Sequence, residues 1–508
     1  MGFGDSLRFR LKGKVAFSGE IKKAEADIGV ILHNAGDILL KGAPKGKEGE
    51  AAKIISWRPN VNGLDLDLES GRYVRAHDAL LRLIKVLASE LGKKYKLGIR
   101  EVKAIEYKIV LPSTEISDQA LDELRQLPYE VKVYDTAVEV HMKDLTEAEL
   151  RGRIVDRLVS MIEEIITRAP TKVAEPQVVK HSPKRPHQFC ENPFDVAKRL
   201  GWIVEFPARG QWIYKEPYAR LLRALEDIFI KEVARPLKFE EVMLPKLIPL
   251  EVMQRMPGYL DGVPEGMYYV SPPPREPAAF SKFKQKLKLT KRIPSQELSE
   301  VIKEPAYVLS PAQCEPFYES FALKRLRTED LPVKQFDCSG WTYRWEGGGV
   351  EGLVRTQEFR RMEFVFVGSP DDAVSIREAI LDISTKILDR LDLEWRILVA
   401  TPFYMREEGV ETDLTDSSKI ATYDIEVPLP YDDGWLEIGS YNLHRSKFVE
   451  TFKIKEVKGR EVWTGCCGFG TSRWMVGFLA QHGFDVKKWP ELVRKRVGSM
   501  PSVPKVID

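Results

Sequence analysis

The chain begins with short stretches in which apolar and polar residues alternate, the period of a half-buried strand. Residues 7–9, 15–17, 105–111, 130–134 and 138–142 read this way. Between and after them, residues 75–92 and 145–168 repeat apolar positions at spacings of three and four, which predicts two amphipathic helices. Residues 1–168 are expected to form one α+β domain. Residues 169–194, APTKVAEPQVVKHSPKRPHQFCENPF, are rich in proline and basic residues, carry no period, and predict a linker. From 195 to 508, helical runs at 218–232, 371–391 and 471–482 alternate with strand-like runs at 364–367, 396–400, 422–427 and 435–438. A second, larger domain follows from that texture. Inside it, residues 272–296 carry prolines and then closely spaced lysines. The plain reading is a solvated surface insert; a lid or phosphate-contacting arm is the functional alternative.

Length and composition agree with this division. A chain of 508 residues exceeds a single compact core. A net charge of +2 means that any nucleic-acid binding must use local basic faces instead of a global field. Five cysteines, at 190, 314, 338, 466 and 467, are too sparse and odd a set for a disulfide framework. They point to a reducing compartment and raise the question of metal binding. No apolar run is long enough to span a bilayer, and residues 1–6, MGFGDS, match the loose myristoylation pattern only as short strings do by chance. A cytoplasmic enzyme is expected.

The densest chemistry lies in YRWEGGGVEGLVRTQEFRRMEF, residues 343–364. On a strand of period two, Phe359, Arg361 and Glu363 share one face and Arg360, Met362 and Phe364 the other; Arg344 and Glu346 share a face on the preceding run. The glycines at 347, 348, 349 and 352 let the chain reverse, giving an antiparallel hairpin with a charged and aromatic face. Such a face suits a nucleotide: Arg344 to grip a phosphate bidentately, Phe359 to stack on a base, Glu346 to accept hydrogen bonds from its amine. In GCCGFGTSRWMVGFLAQHG a Gly-x-Gly turn precedes a helix whose first turn holds Arg473, favourable for polyphosphate. In WLEIGSYNLHR a strand delivers Glu437 and Ser440, oxygen ligands suited to Mg²⁺ on ATP.

Together these stretches resemble the class II aminoacyl-tRNA synthetases. Arg344-x-Glu346, the loop, and Arg355-Thr-Gln-Glu-Phe359 look like motif 2; Gly468-Phe-Gly470-Thr-Ser-Arg473 looks like motif 3; residues 218–234 running into PLKFEEVMLPKL resemble motif 1. Within the class, LSPAQC with Cys314, RRMEF with Glu363 and TGCCGFG with Cys466 resemble the zinc-dependent seryl-tRNA synthetases of methanogenic archaea. Cys467 is an alternative to Cys466. The resemblance covers nearly the whole chain and implies an antiparallel sheet flanked by helices, behind a smaller α+β tRNA-binding domain. It implies one active-site Zn²⁺ held by Cys314, Glu363 and Cys466, Mg²⁺ with ATP, and a homodimer. Arg361 is the candidate for the substrate carboxylate, and Ala312 for the lining of the serine pocket. The implied partners are ATP, L-serine and serine tRNA, with selenocysteine tRNA a further target.

For the leading domain, Arg75, Arg82 and Lys85 fall on one helical face and are the candidates for tRNA backbone contact; a solvated charged face is the bland alternative. Cys190, Cys338, His33, His141 and His444 receive no role. Rival readings are another class II specificity, prolyl first, an amino acid:carrier-protein ligase, and a non-catalytic tRNA-binding paralogue.

Overall fold

The structure is a computed structural model that describes residues 7–113, 116–134, 136–167, 177–187, 189–408 and 414–504. It divides into two compact units, with the boundary between residues 173 and 174. Residues 1–6 and 168–176, the latter including the start of the expected linker, lie outside the described residues.

The first unit is an antiparallel six-stranded sheet in the order Lys53–Asn60, Gly63–Ser70, Arg8–Phe17, Ile99–Pro112, Ala137–Thr146, Glu130–Tyr134. In RFRLKGKVAF the alternation puts Phe9, Leu11, Val15 and Phe17 into a core and Arg8, Arg10, Lys12 and Lys14 on the open face. The helix Ala76–Tyr95 buries His77, Leu80, Leu83, Ile84 and Leu87 in the same core. The expected helix at 145–168 is two helices, Glu147–Arg151 and Ile154–Thr167. Arg153, at φ 58°, breaks the run, and Thr146 and Glu149 form a capping box at the start of the first.

The second unit is built on an eight-stranded sheet in the order Glu240–Glu241, Val333–Asp337, Met362–Gly368, Trp463–Phe469, Gly434–Arg445, Thr422–Leu429, Arg396–Ala400, Gln177–His181. All pairs are antiparallel except the first. The last strand corrects the linker reading, since residues 177–181 belong to the sheet. Their stabilising partner, Arg396–Val399, lies more than two hundred residues away, beyond the reach of any local period. The strand Met362–Gly368 is buried on both faces. Phe364 and Phe366 enter a core beneath the helices Glu216–Phe229, Pro370–Arg390 and Thr471–His482; Val365 and Val367 enter a second core with Tyr318, Phe448 and Phe452. The candidate site opens on this second side. The lysine-rich stretch is helical: Ser281–Thr290 buries no side chain and is tied to the helix Ser295–Val301 by Lys282–Glu300 and Lys286–Glu297 ion pairs of 3.2 and 2.6 Å.

One buried ion pair fastens the helix Glu216–Phe229 to the hairpin. Arg360, 5% exposed, donates to Glu226 Oε1 from Nε and Nη2 at 3.1 and 3.0 Å, and to the carbonyls of Gly340 and Cys338. Removing Glu226 leaves the Arg360 guanidinium buried without its ionic partner. Glu226→Ala should therefore cost about 3–5 kcal/mol, while Glu226→Leu combined with Arg360→Met recovers most of the loss. Denaturant melts of the single and double variants measure both outcomes.

Candidate active site

The hairpin expected around the glycine run is present but shorter than a continuous pair of strands. Trp341–Tyr343 pairs with Glu358–Arg360, and the return strand breaks at Arg361 before Met362–Gly368 enters the main sheet. Phe359, Arg361 and Glu363 nevertheless line one cavity of about 250 Å³, together with Arg344, Glu437, Ser440, Arg473, Ala312, Cys314 and Cys466. Glu346 and Arg355 do not line it. They pair with each other beside it, Arg355 Nε donating to Glu346 Oε2 at 2.5 Å.

Three guanidinium groups converge in the cavity. Arg344 lies over the Phe359 ring at 5.4 Å from its centroid and donates to the Pro311 carbonyl at 3.1 Å. Burial and the charge of Arg361 lower its pKa below the ordinary guanidinium value. Arg473, in the first turn of Thr471–His482, donates to the carbonyls of Val354 and Glu437 at 3.2 and 3.1 Å. Arg361 Nε lies 2.5 Å from Glu363 Oε2 without the alignment of a hydrogen bond, so both Glu363 oxygens are buried without a hydrogen-bond partner. Burial opposes the charge on Arg361, but Glu363 and the nearby cysteines outweigh it and its pKa is raised. Gly468 makes this arrangement possible. A Cβ there would stand 1.8 Å from Arg361 Nη2.

Cys314, Glu363 and Cys466 bring a sulfur, a carboxylate oxygen and a sulfur within 4.8 Å of one another, all three residues buried. Among the described residues this is the one group of three or more such donors. Neither Cys467 nor Cys338 belongs to it. Cys467 faces the opposite core, because neighbouring strand residues point to opposite sides. A hydrogen bond with Cys466 and burial raise the Cys314 thiol well above its ordinary pKa, and burial raises Glu363.

Among the cavity residues, His444 receives no role from the sequence and Asp424 is not singled out by it. His444 packs at ring distance 4.1 Å on Phe448, its Nε2 3.5 Å from Cys466 Sγ, and burial depresses its pKa to about 3, leaving a neutral imidazole. Asp424 has a buried Oδ1 without a partner, and burial together with Glu437 pushes its pKa up to about 8. Period two on Gly434–Arg445 was the available signal, since Ser440, Asn442 and His444 share a face. Glu437 would point away from that face in a regular strand. A register shift opposite Ile425 and Glu426 inserts one extra residue at Ile438 and turns Glu437 into the cavity as well.

The first unit treats its three candidates unequally. Arg75 is committed to Asp156 at 2.8 Å and to the Phe9 ring at 4.6 Å, and Arg82 donates to the Lys41 carbonyl at 2.6 Å. Lys85 is exposed. Arg75 and Arg82 thus have partners distant in sequence.

The first unit and the site-bearing core each match a known family. The family described as tRNA-binding domain covers residues 7–164, and the tRNA synthetase class II core domain (G, H, P, S and T) covers 299–482. Fold and site thus define a class II aminoacyl-tRNA synthetase. Type-2 serine–tRNA ligases of Methanocaldococcus jannaschii and Methanothermobacter thermautotrophicus are 41% and 40% identical, over 99% of this chain and 98% and 99% of theirs. The crystal structure of the M. kandleri SerRS in complex with A. aeolicus tRNASec superimposes with a TM-score of 0.89 at 38% identity, covering 99% of each chain. The chain belongs to the type-2 serine–tRNA ligase family.

Asp424 yields a test of the site's electrostatics. The native state keeps a proton that the unfolded chain loses near pH 3.8, so this residue makes stability fall as pH rises toward about 8. Asp424→Asn should flatten that decline, measured by thermal melts of both proteins at pH 5 and pH 8.

Proposed function

We propose that this ligase attaches serine to serine tRNA in two steps at the cavity. The serine carboxylate attacks the α-phosphorus of ATP, forming seryl-adenylate and releasing pyrophosphate. The terminal ribose hydroxyl of the tRNA then takes the seryl group, and AMP leaves. The observation that carries this reading is the convergence of Arg344, Arg361 and Arg473 with the Cys314, Glu363 and Cys466 trio in one cavity.

Arg344 and Arg473 neutralise charge as it builds on the phosphate oxygens, and Phe359 stacks the base. Glu437 and Ser440 would hold the Mg²⁺ that arrives with ATP, in the cavity that Asp424 also lines. Arg361 takes the serine carboxylate, and Ala312 borders the amino-acid pocket. Glu346 and Arg355 contribute to nucleotide binding by opening their mutual pair.

The trio suits zinc. A hydrogen bond with Cys466 and burial raise the pKa of Cys314, burial raises that of Glu363, and a divalent cation is the charge that reverses the penalty. Cys314, Glu363 and Cys466 would hold Zn²⁺ by three ligands, leaving the position that a serine amine requires. When bound, the ion supplies a Lewis-acid contact for that amine, which every amino acid possesses. Discrimination among amino acids then rests on this chain's own pocket walls, where an added methyl is worth about 1–3 kcal/mol.

The first unit is the tRNA-binding element, and serine tRNA is its target. The M. kandleri complex with tRNASec supports an RNA partner of that kind and a second target in selenocysteine tRNA.

Arg344→Ala and Arg473→Ala should each lower serine-dependent pyrophosphate exchange by about 10²–10³-fold. Exchange near the wild-type rate in both would refute their roles. Chelation, or Cys314→Ala, should abolish serine activation while far-ultraviolet circular dichroism stays largely unchanged, because the larger core contains none of the three donors. A fragment beginning at Gln177, and so keeping the edge strand, should retain pyrophosphate exchange and lose most tRNA charging. Equal charging by fragment and full chain would assign the first unit another role.

A further inference from the structure

We infer that Gln313 is a positioning residue for the metal centre: it anchors the backbone of Cys314 to the sheet that carries Glu363 and Cys466. The inference rests on the metal-centre reading above.

Gln313 has φ 79°, the left-handed region in which a residue bearing a Cβ is strained, and it is fully buried. Glycine would adopt this backbone without strain. A glutamine here makes physical sense when its side chain does something that glycine cannot. Its Oε1 accepts from Thr342 Oγ1 at 3.1 Å, its Nε2 faces Asp337 Oδ2 at 3.4 Å, and its backbone N–H donates to Ser310 Oγ at 3.0 Å. Thr342 and Asp337 are fully buried as well.

The anchor is itself fixed. Asp337 is paired with Lys246 and accepts from the Ser339 N–H at 2.8 Å. It ends the strand Val333–Asp337, where it stands directly opposite Glu363. The loop holding one proposed ligand is thus tied to the strand register that sets another. On the far side of Cys314, Glu315 completes the brace: it accepts from the Ala312 N–H at 2.9 Å and the Ser310 hydroxyl at 3.0 Å. The residues on either side of Cys314 are therefore both held by buried hydrogen bonds, which leaves its Sγ little freedom to leave the other two donors. Outer hydrogen bonds of this kind orient metal ligands and contribute to affinity.

Gln313→Gly keeps the backbone conformation and removes the side-chain anchor. The full-length variant should melt as a folded protein yet hold Zn²⁺ about 10–100-fold more weakly in competition with a chelator. Its Co²⁺-substituted form should show a weakened thiolate-to-metal absorption band. The KM for serine should rise, with kcat for pyrophosphate exchange approaching the wild-type value in excess zinc. Thr342→Val removes the hydroxyl donor while keeping the side-chain shape, and should shift zinc affinity in the same direction by a smaller factor. Wild-type zinc affinity and cobalt spectrum in folded Gln313→Gly and Thr342→Val overturn the positioning role while leaving the metal centre intact. A wild-type protein that binds no zinc overturns the metal centre and the inference together.

Discussion

Much of the site follows from one strand pairing. Met362–Gly368 and Trp463–Phe469 run antiparallel in the register that sets Glu363 opposite Gly468 and Val365 opposite Cys466. Side chains alternate across a sheet, so this register puts Glu363 and Cys466 on one face and sends Phe364 and Cys467 to the helix-covered face. A slip of one residue would exchange the two adjacent cysteines between the cavity and the helix-covered core. The two cores hold the register in place: Phe364 and Phe366 are buried on one side, Val365 and Val367 on the other. Gly468 lets the Arg361 guanidinium lie across the neighbouring strand.

Around that pairing the cavity gathers charge that would be unfavourable in a dry interior without ligands to answer it. Arg344, Arg361 and Arg473 bring positive charge to it; Glu363, the two thiols, Asp424 and Glu437 are its acidic groups. Burial works against each ionised form separately, visible in the raised carboxyls and the lowered Arg344. The site is therefore poised for substrates that bring the opposite charge with them, and its stability and function draw on the same residues.

How much of this could be read from the chain depended on where each residue's partner lay. The helix at 471–482 and the strand at 396–400 stand in the structure at their expected bounds, because their signals are local: a glycine turn before an apolar period, and a compact β-branched run. The strings around Arg344, Arg473 and the cysteines carried recognisable spacing, and the cavity gathers most of the residues they named. Arg75 shows the limit. It precedes the helix Ala76–Tyr95 with extended backbone instead of sharing its face, and Asp156 takes it up from eighty-one positions away. The edge strand Gln177–His181 and the extra residue at Ile438 have the same character, each defined by a neighbour strand and not by its own sequence. His444 receives no role because a single histidine carries too little information alone, although the alternation along its strand puts it on the face of Ser440 and Asn442.

The lysine-rich helix Ser281–Thr290 stands apart from all of this. It buries no side chain of its own, and what holds it is its backbone ladder, a Phe280–Phe283 ring contact, and two ion pairs to Ser295–Val301, one exposed and one ending on the buried Glu297. The molecule consequently has two tiers of cooperativity. Amides of Thr471–His482, wrapped on nearly every side, exchange with solvent only through large-scale opening; those of Ser281–Thr290 exchange through a local opening that costs little and costs still less at high ionic strength. Hydrogen exchange would see this arm as a separate thermodynamic unit, melting by degrees while the eight-stranded sheet remains closed.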